Sequence, residues 1–195
     1  MKNKIVAVDV DLTFVDSLTP WLAWFTEQTG ETIKNEDGAY DLVPEMKAII
    51  ARKGLDFDPF AFWLKKDLYD DLRPLKDAVD VLNETRAAGA KIIFVSLCEP
   101  EHLRSKDAFI RRFMRKNYDG FISTGEKHFV GYDVLIDDRE KHHELGMLHR
   151  PNSTHLLFNG VLRTTTKRVI PSHFNVVDNW IQVDDYFTSK PWSQV

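Results

Sequence analysis

The chain is short of cysteine, long apolar runs and excess positive charge, and each shortage closes off a class of protein. A single cysteine, Cys98, excludes an internal disulfide framework and a cysteine-built zinc site, and a thiol without a partner suits a reducing compartment. The first apolar run, Ile5 to Val8, is far shorter than a secretory leader or the roughly 20 residues of a spanning helix. A cytoplasmic location with no membrane partner is therefore expected. Against 26 Lys and Arg stand 30 Asp and Glu, a formal charge of −4, so no basic surface for a long nucleic acid is expected. What is present is bulk: 13 Phe and five Trp in 195 residues, 43% of them hydrophobic, fit one compact domain or a core with a modest insertion.

Short β-branched runs mark strands buried on both faces of a parallel sheet: Ile5–Val8, Lys91–Val95, Val134–Ile136 and His155–Phe158, with Phe121–Ser123 a shorter candidate. Helical spacing joins Ala78, Val79 and Leu82 within 75–88, ahead of Gly89, and Phe109, Ile110 and Phe113 within 105–116. A last helix is expected over 178–187. This alternation predicts an α/β, Rossmann-like doubly wound parallel sheet. The interval 17–74 breaks the rhythm. Helix starts at Thr19-Pro20 and Asp58-Pro59, and a third helix over 42–52, predict a small helical cap inserted after the first strand. The core is then 1–16 with 75–195, and the cap 17–74.

In such a sheet ligands bind beyond the carboxyl ends of the strands. The first run is followed there by Asp9-Val10-Asp11-Leu12-Thr13, the second by Ser96 and the third by Asp137-Asp138, with Lys106 near the next helix start. Carboxylates gathered at one edge repel one another unless a cation lies between them. With oxygen ligands only, the expected ion is Mg²⁺. A cation, an ammonium and a hydroxyl around one space form a receptacle for a phosphate, which a carboxylate can attack while another protonates the departing oxygen.

The order Asp-x-Asp-x-Thr, Ser, Lys, Asp-Asp resembles the haloacid dehalogenase superfamily of phosphotransferases. Leu135-Ile136-Asp137-Asp138-Arg139, with Ser105 to Ile110 upstream, is similar to its 5′(3′)-deoxyribonucleotidase branch. The resemblance implies that Asp9 is the nucleophile forming an aspartyl-phosphate, that Asp11 is general acid and then base, and that Ser96 and Lys106 hold phosphoryl oxygens. It implies Mg²⁺ on Asp138, the Asp9 carboxylate and the Asp11 carbonyl, with Asp137 in support. Thr13, Ser96 and Lys127 are expected at the substrate, and Trp63 and Phe62 are the aromatics expected to stack on a base. The chain departs from the superfamily pattern at Leu12, where Gly is common, and at Leu97-Cys98-Glu99-Pro100 after Ser96.

The expected function is Mg²⁺-dependent hydrolysis of deoxyribonucleoside monophosphates. A phosphatase for another small metabolite or a nucleic acid 3′ end, and a silent nucleotide-binding protein, stay open, as does a homodimer. A receiver-type phosphoacceptor domain would place its acidic pair after the first strand and end within about 120 residues, unlike this chain. His142, His143 and His149 read as polar surface, Cys98 as a passive neighbour of the site, and 163–168 as a basic loop.

Overall fold

A computed structural model describes residues 1–36, 38–162, 169–190 and 192. Six strands form one sheet, β1 (Ile5–Val8), β2 (Lys91–Val95), β3 (Gly120–Ile122), β4 (Val134–Asp137), β5 (Thr154–Phe158) and β6 (Asn175–Val177). Their order is β3-β2-β1-β4-β5-β6 and every pairing is parallel. The sheet winds outward in opposite directions from β1 and β4, so the crevice beyond their carboxyl ends is the natural place for a ligand.

The β-branched runs sit where they can use both faces. Val6 and Val8 of β1 pack in the larger apolar cluster with Ile92, Phe94, Val134 and Ile136, while Ala7, Val95 and Leu135 turn to a smaller one behind. The helices are α1 (Leu18–Thr29), α2 (Val43–Arg52), α3 (Ala78–Ala87), α4 (Leu103–Met114), α5 (Glu140–His149) and α6 (Trp180–Ser189). The helix expected from residue 75 begins three residues later, because Asp77 takes a left-handed conformation (φ 66°). Asp58-Pro59 opens only a 3₁₀ helix, Pro59–Leu64, which Lys65 ends in an extended conformation. Among the described strands and α-helices, two carried no sequence expectation, β6 and α5. The expected basic loop 163–168 lies outside the described residues.

The segment between β1 and α3 holds α1, α2 and the 3₁₀ helix. Asp16 Oδ1 accepts from the backbone N–H groups of Leu18 and Thr19, both at 3.0 Å, and so caps α1. Gly30 closes that helix at φ 68°, a conformation that favours glycine. Trp21 Nε1 donates to the Pro59 carbonyl at 2.9 Å, and Trp24 packs on Phe57 and Phe62. The segment leaves and rejoins the sheet at one place: Val15 forms an antiparallel bridge with Pro74, and the Leu75 N–H donates to the Phe14 carbonyl at 2.8 Å. Beside that stem the Phe14 ring sits against Phe94, Phe109 and Trp180.

Candidate active site

Backbone pairing carries the chain past each strand end to one edge. Asp9 N–H donates to Ile136 O at 2.9 Å, setting the end of β1 beside Asp137 and Asp138, and Ser96 N–H donates to Ile122 O at 3.2 Å. After Asp9 the chain turns sharply: Leu12 N–H donates to Val15 O at 2.8 Å, and Phe14 and Val15 both donate to Val10 O. Leu12 takes φ 59°, the left-handed region that costs a branched side chain about 1–2 kcal/mol and that glycine adopts freely. The departure noted at Leu12 is thus a backbone cost at the centre of the first motif.

Asp9, Asp137 and Asp138 bring carboxylate oxygens within 4.8 Å of one another, all three buried. Lys127, expected at the substrate, is 2% exposed and stands among these acids, 2.7 Å from Asp9 Oδ1 and bonded to Asp137 Oδ2. Burial opposes its charge, yet Asp137 and Asp9 together push its pKa up to about 12. Asp137 is also opposed by burial, but Lys127 and the His142 imidazole hold its carboxyl far below the ordinary range. It further accepts from Arg139 N–H at 2.9 Å. Asp9 and Asp138 lie on the other side of that balance. Burial raises both, the neighbouring carboxylates add to the rise, and Lys127 offsets only part of it. Two acids held above their ordinary pKa beside a third mark negative charge in excess of its partners. This donor set is all oxygen, so it fits a hard divalent cation.

The Asp11 carboxylate turns elsewhere. Lys106 Nζ lies 2.7 Å from its Oδ2, and the Tyr69 hydroxyl donates to its Oδ1 at 2.8 Å. Burial alone would raise its pKa, but Lys106 and Tyr69 outweigh that and hold it low. Lys106 is fully buried and also donates to Ser96 Oγ at 3.1 Å and to Leu97 O at 2.9 Å. Ser96, Lys106 and Asp11 therefore meet as the strand ends suggested. Thr13 is buried, its carbonyl accepting from Trp180 Nε1 at 3.0 Å, while its Oγ1 has no partner among the described residues. The Cys98 thiol is pushed up to about 11, chiefly by burial.

Of the two aromatics expected to stack on a base, Phe62 is taken up by packing within the insertion. Phe62 is 4% exposed, tilted on Trp24 and edge-on to Trp63. Trp63, half-buried, packs against Trp21, and its carbonyl bonds to His102 Nδ1. His142 and His143 are not polar surface. His142 Nδ1 lies 2.9 Å from Asp137 Oδ2, and the fully buried His143 places Nε2 at 2.9 Å from Asp137 O. Sequence reasoning also missed Tyr40, whose hydroxyl donates to Asp138 Oδ2 at 2.9 Å, and Tyr69. The histidines gave no signal of their own, because the helix that carries them has no apolar stripe.

A sequence pattern of the family described as 5′ nucleotidase, deoxy (Pyrimidine), cytosolic type C protein matches residues 3–190. No curated protein matches. Among solved structures the chain is similar to a HAD-superfamily hydrolase from Ehrlichia chaffeensis, at 13% identity and TM-score 0.55, covering 96% of this chain and 98% of that one. It is similar also to a predicted phosphoglycolate phosphatase from Haemophilus somnus 129pt, at 11% identity and TM-score 0.61, covering 96% and 99%. A haloacid dehalogenase-like protein from Agrobacterium tumefaciens C58 gives 11% and 0.59, covering 96% and 98%. At these identities the structures speak for a shared fold, and the family match speaks for the chemistry. The chain belongs to the 5′ nucleotidase, deoxy (Pyrimidine), cytosolic type C family, and it is a phosphoric monoester hydrolase.

Proposed function

We propose that the protein hydrolyses nucleoside monophosphates, deoxyribonucleotides among them, in a Mg²⁺-dependent reaction through a phosphoryl group carried on Asp9. The observation that carries this reading is the division of the acids into two sets. Asp9 sits with Asp137, Asp138 and Lys127, while Asp11 sits apart with Lys106 and Ser96. One carboxylate is thus kept for bonding to phosphorus and another, on a separate set of donors, for moving a proton.

Asp9 attacks as the bond from phosphorus to the leaving oxygen breaks, and Asp11, ionised in the free protein, takes up a proton as Lys106 turns to the phosphoryl oxygens and passes it to that oxygen. Ser96 Oγ and Lys106 Nζ hold the phosphoryl oxygens, and Lys127 steadies the Asp9 carboxylate in line. Water then takes the phosphoryl group from Asp9, giving its proton to Asp11. Asp9, Asp138 and the Asp11 carbonyl would hold Mg²⁺, with Asp137 in support, and the ion would neutralise charge on the phosphoryl oxygens. Residues 17–74 act as the cover, a role supported by Tyr40 and Tyr69 reaching from that insertion to Asp138 and Asp11.

The test is phosphate release from thymidylate, uridylate, a sugar phosphate and a 3′-phosphorylated oligonucleotide. Nucleotides are expected to lead, with activity lost in EDTA. Asp9→Asn should lose several powers of ten in kcat, since no neighbour replaces the nucleophile. Full turnover by that variant, or preference for the oligonucleotide, would contradict the reading.

A further inference from the structure

Two side chains donate to the Asp11 carboxylate within 3.1 Å, and only Lys106 belongs to the strand-end motifs. The second is Tyr69, on the turn through which the insertion returns to the sheet. We propose that Tyr69 is a positioning residue that fixes the Asp11 carboxylate for proton delivery to the leaving oxygen, an inference that rests on the acid–base role proposed for Asp11.

The tyrosine is itself held rigidly. It is fully buried, its hydroxyl lies 2.8 Å from Asp11 Oδ1 and 3.1 Å from Oδ2, and its ring packs on His102 and Phe109. The Lys106 ammonium sits 5.1 Å from the ring centroid. Its backbone is fastened on both sides: Tyr69 N–H donates to Ser105 Oγ at 3.0 Å, and Tyr69 O accepts from Arg112 Nη2 at 3.0 Å. Ser105, Lys106 and Arg112 all lie on α4. One helix therefore sets both donors that meet at Asp11. With Lys106 alone the carboxylate could still rotate about its own bonds, and a second donor from the same rigid unit removes that freedom.

In the first half-reaction an Asp9 oxygen bonds to phosphorus, the bond from phosphorus to the leaving oxygen breaks, and the proton passes from the Asp11 carboxyl to that oxygen. In the second, a water oxygen bonds to phosphorus, the Asp9 oxygen departs, and the water proton passes to Asp11. Tyr69 keeps its proton in both steps. Its part is orientation.

The test is Tyr69→Phe, which keeps the buried ring and removes the hydroxyl. Toward a nucleoside monophosphate kcat/KM should fall about 10- to 100-fold, while the competitive inhibition constant for inorganic phosphate stays within about twofold. Toward p-nitrophenyl phosphate, whose phenolate leaves without needing a proton, kcat/KM should change by less than about threefold. Equal losses on both substrates, or no loss on the nucleotide, would overturn the inference. A wild-type protein inert toward both substrates would instead overturn the acid–base reading beneath it, so the two failures differ.

Discussion

Lys127 shows how much of this site is a balance of buried charge. Its ammonium is shared between Asp9 and Asp137, and both acids are nearly or fully out of water. Replacing it by methionine keeps an unbranched side chain one atom shorter and leaves those carboxylates facing each other. Lys127→Met should cost about 3–5 kcal/mol of stability in EDTA, measured by urea unfolding. A loss below about 1 kcal/mol would mean that the acids find other relief. At this scale Asp9, Ser96 and Asp137 were legible because each directly follows an apolar run. Tyr69 and Tyr40 were not, since their contacts join residues 58 and 98 positions apart and no local pattern announces them. Leu12 shows the converse. Its departure from glycine was visible in the sequence, but its left-handed backbone was not.

Among the elements, the strands before the motifs were readable to within a residue, because a strand buried on both faces has to be apolar throughout. The same logic explains the two omissions. α5 buries His143 and Gly146, with no apolar stripe to give it away, and β6 is three residues long and buries only Val177. Gly146 is a poor helix former in mid-helix, yet space explains it. A Cβ there would lie 2.4 Å from His155 Cε1 and 2.5 Å from the Tyr132 hydroxyl. Gly146→Ala, which would gain about 1 kcal/mol in an open helix, should instead destabilise by about 1–3 kcal/mol in urea unfolding. A stabilised variant would show that the rings move aside at little cost.

For the molecule as a whole, three buried imidazoles make stability depend on acidity. Burial holds the pKa values of His102, His143 and His155 below 6.5, with His143 lowered to about 4. Each therefore takes up a proton in the unfolded chain before it does in the folded one. Their contribution is complete above pH 6.5 and is lost as the pH falls toward 4. Asp9 and Asp138, with raised pKa values, bind protons more readily when folded and pull the other way. The histidine part is therefore read as a difference. Between pH 7 and pH 5, His155→Phe should lose less unfolding free energy than the wild type, and identical losses would contradict the assignment. The sequence disclosed the α/β architecture and the interruption after β1. It could not disclose the continuous packing, in which Trp21, Phe25 and Met46 of the insertion join the same apolar cluster as Val8 and Phe94 of the sheet.

The bridge between Val15 and Pro74, with the bond from Leu75 to Phe14, brings the two crossings of the chain side by side. A segment of another length could leave and re-enter there with the strand order kept, provided it replaced the apolar side chains that Trp21, Phe25 and Met46 bring to the shared cluster.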